Sequence, residues 1–252
     1  IQRGILTTEA DPIRHQGHVK DVLRISRYVR FSIFGLSLPG VLLLLGCETD
    51  FEKLKGSNSC VRCYLKGVDL TGAELKGANL NWSFLEQAHL DRANLTNVNL
   101  NGARLSGASL QGAVMTGADI RKATLVTAVM NNVDLRQADL SESVLSYAQL
   151  ARAALDGADL TAVVLDHADL SRASLKGVIL FQADLTSTNL YQADLSRANL
   201  RWTVLELADL RGADLSYADL NHSNLERADL TGALWIDAIH RCSNQNCDGK
   251  AY

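Results

Sequence analysis

Residues 193–200 read Ala193-Asp194-Leu195-Ser196-Arg197-Ala198-Asn199-Leu200, and a hundred residues earlier the same unit stands as Ala93-Asn94-Leu95-Thr96-Asn97. The leucines keep this spacing without a break. From Leu65 to Leu230, 34 consecutive fifth positions are leucine except Met115, Ile120 and Met130, with no insertion, deletion or proline. Two residues before each large apolar position stands a small one: of the 33 from Val68 to Ala228, 23 are alanine and the rest Val, Ser or Thr. A fixed internal period outranks every other cue in a sequence.

A period of five fits neither ordinary element. On an α-helix a step of five rotates by about 500°, which smears the leucines around all sides. On a straight strand an odd step sends successive leucines to opposite faces. The chain must therefore turn a corner once per unit, so that the small residue and the leucine share the inward side of a short extended piece. Stacked coils then satisfy the backbone groups that no single coil can pair. The spacing predicts an all-β solenoid with leucine over leucine and alanine over alanine inside.

These units resemble the pentapeptide-repeat family, whose repeat is written A(D/N)LXX, over residues 63 to 232. The resemblance implies a right-handed quadrilateral β-helix with four units, hence 20 residues, per coil. At ~4.8 Å between coils that gives about eight coils and roughly 40 Å of rod, with a short capping segment at each end. Family members have unrelated roles, so function must come from the ends and the outer surface.

Ahead of the repeat, Arg24, Arg27 and Arg30 precede an apolar run from Phe31 to Leu45. A basic segment followed by such a run has the layout of a secretory leader, and it is short for a membrane span of about 20 residues. Its end, Leu44-Leu45-Gly46-Cys47, resembles a bacterial lipobox, which implies lipidation of Cys47 and removal of the leader. A short anchor or a buried helix is the alternative. No methionine precedes Met115, so the sequence is expected to be a fragment or to begin upstream of the true start. The expected organisation is a leader over 1–46, with 1–20 set aside because a leader beginning near Val19 or Val22 has ordinary proportions. A linker and N-terminal cap follow over 47–62, then the solenoid over 63–232 and a C-terminal cap over 233–252.

Five cysteines fit an exported protein in which one cysteine has a separate role. Cys47 stands at the lipobox, Cys60 and Cys63 at the solenoid entrance, and Cys242 and Cys247 at its exit. On the coil geometry that the resemblance implies, the two terminal pairs lie some 40 Å apart. That is beyond disulfide reach, so Cys60–Cys63 and Cys242–Cys247 are expected to close locally. A two-cysteine metal site completed by His240 or by a partner remains open, as does a redox role for Cys60-Val61-Arg62-Cys63. No metal and no cofactor are expected otherwise.

Residues 20 apart stack if four units close a coil, so the surface reads as columns. One holds Asn79, Asn99, Asp119, Asp139, Asp159, Ile179, Asn199 and Asp219, a solvated ladder or a cation attractor. Over 63–232 there are 20 acidic and 14 basic residues, a mildly acidic rod. Along one corner Phe84, Val144, Val164 and Val204 share a column, Trp82 and Trp202 stand in the neighbouring one, and Phe181 lies close by. Together these form an expected apolar strip, a candidate interaction surface. Arg92, Arg152 and Arg172 share a third column too sparse for nucleic acid.

The histidines His15, His18, His89, His167, His222 and His240 form no triad or ligand spacing, so an enzyme is not expected. The sequence predicts an exported protein, periplasmic or membrane-anchored through a lipid, that acts as a scaffold or protein-binding rod. Its partner is an unknown envelope protein or a second copy. The alternative is a cytosolic DNA mimic that binds a type II topoisomerase, as some members of the family do.

Overall fold

The computed structural model describes residues 50–234. Among the described residues a single helix, α1 (residues 50–57), is followed by a continuous stack of short extended pieces and turns. Every fifth residue from Ser59 to Asp214 forms a parallel bridge with the residue 20 positions further on, ending at Asp214↔Leu234. Four units therefore close one coil, and the rod has four faces. Face 1 carries the bridge column Ser59–Asn79–Asn99, face 2 Tyr64–Phe84–Arg104, face 3 Asp69–His89–Ser109 and face 4 Glu74–Asn94–Val114.

One unit explains the rest. The amide of Ala73 bonds the Leu70 carbonyl at 3.0 Å across Thr71-Gly72, closing a four-residue corner. The third residue of each such corner lies in the left-handed region, φ +65° at Gly72 and φ +57° at Trp82, as a type II turn requires. Three more amides per unit reach neighbouring coils. Leu70 N–H bonds His89 O at 2.7 Å, Gly72 N–H bonds Asp91 O at 2.8 Å, and Asn94 N–H bonds Ala73 O at 2.9 Å.

That leaves one amide per unit, on the residue after the leucine. Asp or Asn before the leucine supplies the missing acceptor: Thr71 N–H bonds Asp69 Oδ1 at 3.0 Å, Thr161 N–H bonds Asp159 Oδ1 at 2.9 Å, and Tyr191 N–H bonds Asn189 Oδ1 at 3.0 Å. This local side-chain turn is the habit of Asx residues. Where Ser109, Gln149 or Ser174 replaces Asp or Asn, the acceptor comes from the neighbouring coil. Asp91 takes Gln111 N–H at 2.8 Å, Asn131 takes Ala151 N–H at 3.0 Å and Asp156 takes Lys176 N–H at 3.0 Å.

The core is filled by leucines, almost all fully buried, stacked one column to each face with the small residues beside them. Hydroxyls at the small positions bond core carbonyls rather than stay unpaired: Ser83 donates to Leu80 O at 2.6 Å, and Thr188 reaches Leu165 O at 2.8 Å. At the entrance, Phe51 and Leu54 of α1 lie on the core, covering an end that would otherwise expose apolar surface. The inward positions there belong to Cys60 and Cys63.

Candidate interaction surface

The i to i+20 ladder places Phe84, Val144, Val164 and Val204 in one column on face 2. Trp82 and Trp202 stand at the corner before it, 48% and 50% exposed. The strip expected from the sequence is broken into two clusters. In the column itself Arg104, Thr124 and Asp184 intervene. At the corner Lys122 and Glu142 form an ion pair at 3.6 Å, and Asp184 is held by Thr186, backbone N–H at 2.9 Å and hydroxyl at 2.6 Å. Periodicity finds columns, but polar residues inside a column interrupt an apolar surface.

The first cluster is small. Tyr64 and Phe84 rings lie 6.2 Å apart, and the Arg104 guanidinium sits over Phe84 at 5.4 Å while it pairs with Glu86 at 2.8 Å. Trp82 lies flat over Gly102, whose missing Cβ would stand 2.5 Å from the ring. The second cluster is broader. Val144, Val164, Val204 and Phe181 are half-buried, and Trp202 stacks on His222 at 4.3 Å. The opposite corner of the same face adds Tyr147, stacked on His167 at 4.8 Å, and Leu207. Tyr147 is 55% exposed and Leu207 41%. Sequence reasoning missed these two. The column 147, 167, 187, 207 would have shown them, since it bounds face 2 on the other side.

The acidic column on face 1 is not a free ladder. Arg121 grips Asp119 through Nε and Nη2, at 2.8 and 2.7 Å, and its Nε reaches Asp139 at 3.6 Å. The same fork recurs at Arg136–Asp134 and Arg211–Asp209. The hydrogen bond from its arginine holds each of Asp119, Asp134 and Asp209 below the usual carboxylate range. Asp69 is lowered chiefly by the Thr71 amide. These carboxylates serve the backbone and its arginines before any ligand.

Arg152 and Arg172 line a shallow hollow with Tyr191 and Arg211, and Arg172 donates to Gln192 Oε1 at 3.2 Å. Gly112 and Asn132 separate Arg92 from them in the column. His89, His167 and His222 stand in three different columns, so the structure brings no pair of them together. Cys60 and Cys63 form a disulfide, Cα atoms 5.3 Å apart. Cys47, Cys242, Cys247, His15, His18 and His240 lie outside the described residues, as do the segment expected to be a leader and most of the expected C-terminal cap.

A family model described as pentapeptide repeats (8 copies) matches residues 59–87, 88–125, 125–161, 158–197 and 193–232. No curated protein matches the chain. Among solved structures the chain is similar to HetL, a pentapeptide repeat protein involved in heterocyst differentiation regulation from the cyanobacterium Nostoc sp. strain PCC 7120. That likeness has 28% identity, covers 79% of this chain and 98% of that one, and has a TM-score of 0.37. QnrB1, a plasmid-mediated fluoroquinolone resistance protein, is 17% identical in its trypsin-treated form, over 67% of this chain and 87% of that one, with a TM-score of 0.47. A thylakoid-lumen pentapeptide repeat protein from Arabidopsis thaliana is 29% identical over 48% of this chain and 68% of that one, with a TM-score of 0.25.

Proposed function

The chain belongs to the pentapeptide-repeat family, and from that premise we propose that it is a non-enzymatic rod of about eight right-handed coils that binds a protein through face 2. The observation that carries this reading is the second cluster, where Tyr147, Trp202 and Leu207 stand exposed on both corners around Val144, Val164 and Val204. Aromatic and aliphatic groups collected on one face of a polar rod are what an interface core needs. A rigid backbone also loses little entropy on docking.

The rod works at the bacterial envelope. Residues 1–46 act as a leader and Cys47 carries the lipid that tethers the solenoid. The partner is another envelope protein or a second copy of the chain. The basic-then-apolar run ending in Gly46-Cys47 supports this, and the Cys60–Cys63 disulfide suits an oxidising compartment. Among the described residues no helix is long and apolar enough to cross a membrane. The topoisomerase-binding alternative needs carboxylates offered outward, and the arginine forks on Asp119, Asp134 and Asp209 take three of them.

Two measurements test the proposal. Cell fractionation with mass spectrometry should find the chain in the envelope with Cys47 lipid-modified; unmodified protein in the cytosol would end the envelope assignment. A Tyr147→Ser, Trp202→Ser, Leu207→Ser variant should keep its melting temperature and lose association in sedimentation and envelope pull-down. A folded variant that keeps every association removes face 2 from the account.

A further inference from the structure

Position 60 begins the five-residue series of inward positions that continues round the coil as Leu65, Leu70 and Leu75, and position 63 begins the series of small residues that continues with Val68 and Ala73. Leucine and alanine would serve packing there. Instead both are cysteine, 0% and 2% exposed, and they meet the first residue of α1. The two sulfurs and a carboxylate oxygen of Asp50 lie within 4.8 Å of one another. The Asp50 carbonyl oxygen is 3.0 Å from Cys60 Sγ, and Asp50 Oδ2 accepts the Tyr64 backbone N–H at 2.7 Å. That bond fixes the carboxylate beside the two sulfurs.

We propose that Asp50, Cys60 and Cys63, once the disulfide is reduced, form a site for one zinc-class divalent cation beneath α1. Two thiolates and a carboxylate suit a borderline-soft ion. Metal–sulfur bonds of about 2.3 Å in a tetrahedron need sulfurs about 3.8 Å apart, which the side chains reach by turning about Cα–Cβ at a Cα separation of 5.3 Å. The Asp50 carbonyl or a water fills the fourth place. In the envelope the reductant is a thiol–disulfide oxidoreductase in its dithiol form, which supplies two electrons and two protons to the Cys60–Cys63 bond and leaves as its own disulfide. Cation binding then releases those two protons as the thiolates ligate. Because the third ligand comes from α1, the ion would tie the cap to the first coil, a link that the disulfide itself, closed within that coil, does not make.

The test uses the full chain with Cys47, Cys242 and Cys247 replaced by serine, reduced, freed of reductant without oxygen and titrated with cobalt(II). One cobalt per chain with a thiolate charge-transfer band, displaced by zinc, is expected; the oxidised chain should show none. Cys63→Ser should abolish the band. Asp50→Asn keeps an acceptor for Tyr64 and so the cap, yet should weaken binding by about tenfold or more. A reduced, folded chain without the band overturns the site. So does a band equally strong in the oxidised chain, affinity unchanged by both Asp50→Asn and Asp50→Ala, or a chain that unfolds on reduction in the presence of zinc.

Discussion

Asp159 accepts two hydrogen bonds from Thr161, from the backbone N–H at 2.9 Å and the hydroxyl at 2.6 Å. Asparagine keeps that acceptor, so Asp159→Asn should leave the melting temperature nearly unchanged. Alanine removes it and strands the one amide that the coils do not pair. Asp159→Ala should cost roughly 0.5–1.5 kcal/mol, read from urea denaturation of both variants beside the parent. Glycine offers a second contrast. Gly72 and Gly102 both have φ +65°, but a Cβ meets nothing at Gly72 and the Trp82 ring at 2.5 Å at Gly102. Gly72→Ala therefore reports left-handed strain alone, about 1–2 kcal/mol. Gly102→Ala should cost more than Gly72→Ala and should change the tryptophan fluorescence as Trp82 is pushed off its neighbour. Equal effects would mean that the ring is free to move.

The five-residue unit is the element of this fold, and its inward side is legible from the Leu65-to-Leu230 spacing alone. The acceptor role of Asp69 or Asn189 is not, because a polar residue before each leucine looks like ordinary surface until the unpaired amide is counted. Nor is the break in face 2, since Arg104 and Asp184 sit in the same register as Phe84 and Val204 and no period distinguishes them. Tyr147 and Leu207 are hidden when only one corner of the face is considered. Mid-rod, Leu155→Asp puts an unpaired charge into a core position that is 1% exposed, at a cost of several kcal/mol. Circular dichroism should show that variant unfolded or aggregated; a soluble, heat-stable protein would refute the inward column. The units also share an acid sensitivity. Asp69, Asp119, Asp134, Asp209 and Asp229 all sit below the usual carboxylate range, through bonds from Thr71, Arg121, Arg136, Arg211 and Thr231. A folded-state value below the unfolded one, about 3.9, adds stability above that value and loses it as pH falls through the folded one. Melting temperature should thus be flat from neutral pH to about 5 and fall below about 4.

At the scale of the whole rod, stability and surface follow different arithmetic. Each coil touches only its neighbours, so the core asks only that leucines stay five apart, whereas a face asks that residues stay 20 apart. Removing residues 106–125 takes out one coil and leaves every later column in place. Tyr147, Val164 and Trp202 keep their common face, so this shortened chain should fold and still bind the partner. Removing residues 171–175 takes out one unit. Leu170 is then followed by Lys176-Gly177-Val178-Ile179-Leu180, so the inward pattern survives. Every residue beyond the cut, however, moves round the rod by one face, and Trp202, Val204 and Leu207 leave the side that carries Tyr147, Val144 and Val164. That chain should fold with a similar melting temperature and fail to bind. The pair separates shape from surface, because the larger deletion is the one expected to keep function. If the five-residue deletion unfolds, the units are not interchangeable and the columns carry stability as well. If it folds and binds as the parent does, the partner does not read face 2 as a single surface.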